Sequence, residues 1–264
     1  MPVLVTGARR SGTSMAIKAL RDSGVWLGTD DNFAKAYSQN PKGFWEHISL
    51  WNLANKVMES VYVDFSVDGI YPYHSLDWDK VDGNLQKELA LITDTLQRES
   101  VEKGFSDWGF KAPMMSLAIP YWYHFIPNLK IVIMFRHPAE SALSLVKGGT
   151  SLKEKGQSNF RYSVRLWKQT YDLILHYKAK NPDMDLLITD YRDWIQQPGC
   201  TLRDVLKFSD LPIDDTKVSK AVAEITPALY RFNKQRVSDE KYRIAEDLAG
   251  DVYEKLLGMK QIMG

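Results

Sequence analysis

One cysteine, Cys200, is all the chain contains. No disulfide can form within it and no cysteine-rich metal site can be built; the expected setting is a reducing one, the cytoplasm. Histidine is scarce as well, five in 264 residues. With no H-E-x-x-H pattern and no clustered acids, no metal is expected. Charge of one sign is missing: 34 Lys and Arg against 33 Asp and Glu leave a net +1. That offers no broad field for nucleic acid or an anionic membrane, so neither is an expected partner. No apolar run approaches the roughly 20 residues needed for a membrane span. The opening run Val3-Leu4-Val5 has neither the basic start nor the apolar length of a secretion signal, and none is expected. Aromatics, by contrast, are plentiful, with 8 Trp and 13 Tyr. Most such rings fill cores, and some line acceptor pockets.

A composition of 44% hydrophobic and 25% charged residues suits an ordinary globular chain, and the length suits one domain over 1–264. Residues 2–6 read as a buried strand, Gly7 to Gly12 as a loop, and Thr13 to Ser23 as a helix stopped at Gly24. Such an opening belongs to a parallel α/β sheet. The expected fold class is therefore α/β, in three layers, with a central, mostly parallel sheet flanked by helices. Further strands are expected over 108–111, 130–135 and 185–189. Helical patterns cover about 47–60, 83–102, 114–125, 158–180, 199–208 and 237–258. Pro138 is placed to open another helix, running to about Val146. The aromatic, turn-rich stretch 62–78 and the glycine- and lysine-rich stretch 147–157 read as loops.

The loop Gly7-Ala8-Arg9-Arg10-Ser11-Gly12-Thr13-Ser14 follows the spacing of a P-loop, but Thr13 occupies the lysine position. Its glycines still allow backbone N–H groups to turn around an anion, and the following helix adds positive potential. Arg9 and Arg10 supply charge. The second strong strand ends in Phe135-Arg136 rather than in an acid for Mg²⁺, which suits a phosphate held by arginine. Ser144 lies eight residues after Arg136. Two strand ends side by side make one cleft, and a molecule with two separated phosphates would bridge it. The plainer alternatives are a tight turn with surface arginines, and an Arg136–carboxylate pair with a helix-facing Ser144. An arginine buried in a carboxylate pair therefore counts against the two-phosphate reading.

In combination these residues resemble the sulfotransferase family that uses 3′-phosphoadenosine-5′-phosphosulfate (PAPS). Arg10-Ser11-Gly12-Thr13-Ser14 is similar to its 5′-phosphosulfate loop. Ile131 to Leu145, with Arg136, Pro138 and Ser144, is similar to its 3′-phosphate motif. Trp108-Gly109-Phe110-Lys111 resembles a segment of bacterial carbohydrate-type members, and Leu187 to Leu211, with Asp190-Tyr191 and Pro198, a strand and helix further on. The likeness runs over roughly residues 2 to 212. It implies a P-loop NTPase-like sulfotransferase fold, with PAPS as donor and PAP, its 3′,5′-bisphosphate, as product. No metal is implied. The acceptor would be a hydroxyl or amine of a small molecule or carbohydrate. Arg9, Arg10, Ser11, Gly12, Thr13, Ser14, Arg136 and Ser144 are the implied nucleotide-binding residues.

The departures from the family are specific. Met15 stands where cytosolic members carry a tryptophan that packs on adenine. Their C-terminal Arg-Lys-Gly segment is missing, and the basic, aromatic stretch Tyr230 to Arg236, with Arg231, is the candidate to replace it. Lys111 matches the lysine of relatives with a Lys-Thr-His sequence, whose histidine is the base, but here that position is Pro113. Other members use a glutamate after the first helix, which points to Glu46, with His47 and His74 as runners-up. Aromatic neighbours are expected to desolvate Glu46 and raise its pKa. Tyr71, Tyr73, Trp78, Tyr121 and Trp122 are candidates for stacking on an acceptor. Two rival functions stay open: a small-molecule kinase using ATP and Mg²⁺, and an inactive PAP-binding module.

Overall fold

The strongest apolar runs of the sequence form the sheet. The computed structural model describes residues 1–33, 43, 45–61, 81–111, 116–148, 159–225, 233 and 235–260. Its strands are β1 (Pro2–Thr6), β2 (Val25–Trp26), β3 (Asp107–Lys111), β4 (Lys130–Phe135) and β5 (Leu186–Asp190). They form one sheet in the order β2-β3-β1-β4-β5, and every pairing is parallel. β1, β3 and β5 are buried along their whole length, the pattern of strands covered on both faces.

The helices are α1 (Thr13–Asp22), α2 (Ile48–Val61), α3 (Gly83–Glu102), α4 (Ile119–Phe125), α5 (Pro138–Lys147), α6 (Asn159–Lys180), α7 (Tyr191–Gln196), α8 (Pro198–Phe208), α9 (Asp215–Ala223) and α10 (Asp239–Met259). They divide by face. Ile17 and Leu20 of α1, Leu202 of α8 and Val218 of α9 pack with Val3, Val5 and Val132. Leu53 of α2, Leu89 of α3, Trp122 of α4, Ala142 of α5, Ile174 of α6 and Val252 of α10 pack with Leu4, Ile131 and Ile133. Alternate residues of β1 thus feed opposite cores, as the period of two in a strand requires. Each fully buried large side chain contributes about 1.5–3 kcal/mol relative to exposure.

The connection that steps toward β2 crosses the α1 face. Those that step the other way cross the opposite face, as a single crossover hand demands. All five strands therefore end at one edge. The helices after β1 and β4 leave toward opposite faces, so these neighbouring strand ends bound a crevice.

The sequence reading did not include β2, α7 or α9. β2 has only two residues, too few to show a period. α7 is one short helix cut off by Pro198, and α9 buries only Val218 and Ala221, a weak stripe. The helix expected over 114–125 begins only at Ile119, because Pro120 sits in its first turn, where a missing N–H costs nothing. Among the described residues no helix is long and apolar enough to cross a membrane.

Candidate active site

The loop between β1 and α1 owes its shape to close approaches that only glycine allows. At Gly7 a Cβ would lie 2.1 Å from the carbonyl oxygen of Met134; at Gly12, where φ is 97°, it would lie 2.3 Å from the Tyr191 ring. No side chain caps α1, and an uncapped helix start carries partial positive charge toward an anion. From α6, the Tyr171 hydroxyl accepts from Ala8 N at 3.1 Å and donates to the Met134 carbonyl at 2.6 Å. Its one proton is thereby used, so the Ser11 hydroxyl at 2.8 Å must donate to it. Burial pushes the Tyr171 pKa up, which keeps that proton in place. Ser11 N donates to Ala8 O at 3.2 Å. Ser11, expected to contact nucleotide, thus turns both donors into the protein: it shapes the loop instead.

At the β3 side of this loop, the Lys111 ammonium donates to Glu46 Oε1 at 2.7 Å and to Ser14 Oγ at 3.3 Å. The Lys111 side chain is 1% exposed and that of Glu46 16%. Burial pulls the Lys111 pKa down, Glu46 works against that, and Arg10 adds to the depression. Glu46 follows Trp45, whose φ of 56° turns the chain there. The Trp45 ring meets Phe33 edge-on and lies 4.5 Å from the Arg21 guanidinium. The apolar setting expected for Glu46 is corrected accordingly: the aromatic ring is engaged by α1, while the carboxylate meets a cation. His47 is buried beside Gly28, with no partner for Nδ1. Desolvation lowers its pKa and keeps the ring neutral. It pairs with Phe33 through a backbone bridge, so it stands by the β2 margin of the sheet.

At the β4 side, Arg136 Nε donates to Glu140 Oε2 at 2.9 Å, and the side chains are only 6% and 4% exposed. The plainer expectation for this arginine, a buried carboxylate pair, is therefore realised, and Arg136 does not stand as a solvent-facing fork. The reason is local: Glu140 lies one helical turn on, and a guanidinium sealed from water needs a counter-charge. Arg10 Nε donates to Ser144 Oγ at 3.1 Å, so the two motifs touch. The Tyr191 ring lies against Gly12 on one side and 4.8 Å from the Arg136 guanidinium on the other.

A model of the sulfotransferase family matches residues 2–215. The chain belongs to the sulfotransferase family. Among solved structures, it is similar to the sulfotransferase domain from the curacin biosynthetic pathway, at 14% identity and a TM-score of 0.53, covering 94% of this chain and 98% of that one. It is also similar to the sulfotransferase STF9 from Mycobacterium avium, at 13% identity and 0.56, covering 99% and 77%. The sulfotransferase domain of the Synechococcus PCC 7002 olefin synthase gives 14% and 0.53, with 94% of each chain covered. No curated protein matches. The fold is that of sulfotransferases.

For this sulfotransferase, the structure gathers Arg10, Gly12, Ser14, Lys111 and Glu46 on one side of the crevice and Arg136 and Ser144 on the other. Arg9 is half-buried in the loop and Thr13 is buried as the first residue of α1. His137 Nδ1 accepts from Ala139 N and so caps α5, a structural use. Tyr121 and Trp122, candidates for acceptor stacking, are core residues without hydrogen-bond partners for their polar atoms. Arg231, His74, Pro113, Tyr71, Tyr73, Trp78 and most of the loop 147–157 lie outside the described residues. Sequence reasoning missed Tyr171, Tyr191 as a spacer between the two sides, Glu140 and Tyr242. Only Glu140 left a signal, its one-turn spacing from Arg136.

Proposed function

We propose that this chain is a single-domain enzyme that moves a sulfuryl group from PAPS to a hydroxyl or amine of a small-molecule or carbohydrate acceptor, releasing PAP. The observation that carries the reading is the junction of the two motifs, Arg10 with Ser144 at 3.1 Å, beside a buried lysine–glutamate pair. One bisphosphorylated nucleotide laid across that junction would meet cations at both ends.

The roles follow from position. The uncapped start of α1, with Arg9, Arg10, Gly12, Thr13 and Ser14, suits the 5′-phosphosulfate, because backbone dipoles and a guanidinium aim positive charge at one place. Ser144 suits the 3′-phosphate, with the Arg136 guanidinium, paired to Glu140, as a fixed charge behind it. Arg231 remains the candidate for a further cation there. Glu46 is the base: it takes the acceptor proton as the acceptor oxygen or nitrogen bonds to sulfur and the bond from sulfur to the phosphate oxygen breaks. Lys111 steadies the charge gathering on that phosphate oxygen, and its contact with Glu46 holds acid and base partners in one frame.

Thermal unfolding in buffer, with PAP, and with ATP and Mg²⁺ tests the nucleotide. A rise with PAP and none with ATP and Mg²⁺ is expected; the reverse would replace the reading with a kinase. Transfer of label from ³⁵S-PAPS across an acceptor panel tests the chemistry. Binding of PAP without transfer to any sugar, phenol or alcohol would leave only a nucleotide-binding module.

A further inference from the structure

Two aromatic residues one helical turn apart on α6 hold the backbone at the ends of both β1 and β4. The indole Nε1 of Trp167 donates to the Arg136 carbonyl at 3.0 Å. The Tyr171 hydroxyl donates to the Met134 carbonyl at 2.6 Å and accepts from Ala8 N at 3.1 Å and Ser11 Oγ at 2.8 Å. The two rings meet at 4.5 Å, and both are buried. Gly7 permits this approach: a Cβ there would lie 3.2 Å from the Tyr171 hydroxyl as well as against the Met134 carbonyl.

A tyrosine hydroxyl has one proton and two lone pairs, and here three partners take all of them. The direction of each bond is thereby fixed. Ser11 N also donates to Ala8 O at 3.2 Å, so residues 8 and 11 are tied to each other and both to α6. Glycine at either end of this loop places few steric limits on the chain, and Tyr171 supplies the missing constraint. A loop held before the ligand arrives spares the complex the entropy of ordering it. Dipoles fixed in place also serve charge that develops during reaction. Ser11 then acts on an anion through the shape it gives the loop rather than by touching it.

We propose that Tyr171 and Ser11 are positioning residues for the loop ahead of α1, and that through them α6 sets how tightly the enzyme grips the 5′-phosphate end of its nucleotide. This rests on the assignment of that loop to the 5′-phosphosulfate. The 3′-phosphate side keeps its own tie to α6, through Trp167, so the effect belongs to the 5′ end.

Titration calorimetry on the full chain, comparing PAP with adenosine 3′-monophosphate, which lacks only the 5′-phosphate, is the test. For Tyr171→Phe, PAP affinity is expected to fall about tenfold, the scale of a buried hydrogen bond lost, with affinity for the 3′-monophosphate unchanged. A loss for both nucleotides alike, or for neither, overturns the proposal. Ser11→Ala leaves Tyr171 its bonds to Ala8 and Met134. It should weaken PAP about threefold in the parent and no further in the Tyr171→Phe background, where the Ser11 hydroxyl has already lost its acceptor. An equal loss in both backgrounds would mean that Ser11 contacts the nucleotide itself, against the proposal. Parent protein that binds the two nucleotides equally would instead remove the 5′-phosphate site, and the proposal with it. Melting temperatures separate lost folding from lost grip. Should Tyr171→Phe fail to fold, Ser11→Ala decides: a loss confined to PAP supports the positioning role, and any other pattern ends it.

Discussion

Two ion pairs flank the end of β1, one at the end of β3 and one after β4, and they are built differently. Lys111 and Glu46 come from elements 65 residues apart in the chain. The ammonium is a point charge, and the carboxylate keeps some exposure. Arg136 and Glu140 sit one turn apart, both sealed from water, with Tyr242 fixing the carboxylate and Tyr191 stacked on the guanidinium. A pair that joins distant segments and reaches solvent suits a group that must exchange a proton. A sealed local pair suits a fixed binding determinant. On the proposed reading, the same two charges serve chemistry on one side and recognition on the other.

Substitutions on the two sides should therefore fail in different ways. The largest effect is expected for Glu46→Gln, which keeps an acceptor for Lys111 but cannot take a proton. Turnover should fall by about 10²–10⁴ while PAP affinity stays near that of the parent. Retained turnover in the labelled-PAPS assay would remove Glu46 from the mechanism.

Next comes Arg136→Ala. PAP affinity should drop by about 2 kcal/mol or more, as for a lost charge-assisted contact. Stability should fall too, by about 3–5 kcal/mol, because Glu140 is left buried without its cation. Calorimetry and denaturant unfolding read the two losses apart. Unfolding sensitivity with unaltered PAP binding would make this arginine purely structural and erase the contrast.

Arg10→Ala is expected to lower turnover by about tenfold while changing PAP affinity less, since the loop cation acts where charge develops. An equal loss in both quantities would make it a plain binding residue. Tyr171→Phe should cost about 1–2 kcal/mol of stability by leaving the buried Ala8 N–H without its acceptor, read by chemical denaturation.

The smallest effect is a shift in pH profile. Burial lowers the Lys111 pKa, so its charge is lost at a lower pH than for a solvated lysine. The alkaline fall in kcat/KM should accordingly begin below the ordinary lysine range. Lys111→Arg, charged throughout, should move that limb upward. The folded state binds this proton less tightly than the unfolded chain. Raising the pH through the folded pKa toward the unfolded one therefore favours the fold. A limb unmoved by the arginine substitution would assign it to another group.

The order of strand, glycine loop and helix, the buried runs of β1 and β4, and the basic residues after each were legible in the sequence. Period and turn chemistry are local, and local physics writes them into adjacent residues. Even Glu140 was within reach, by its one-turn spacing from Arg136. What only the tertiary structure decided was who meets whom. Nothing in the chain announces that Tyr171 clamps Ala8 and Met134, that Tyr242 reaches Glu140, or that Lys111 takes Glu46 while Ser11 turns inward. Those contacts bridge up to 163 residues, and a fold fixes them through the packing of whole helices on a sheet. One amino-acid pattern is compatible with many such pairings, and only the assembled core, by bringing these polar groups beside their partners, selects among them.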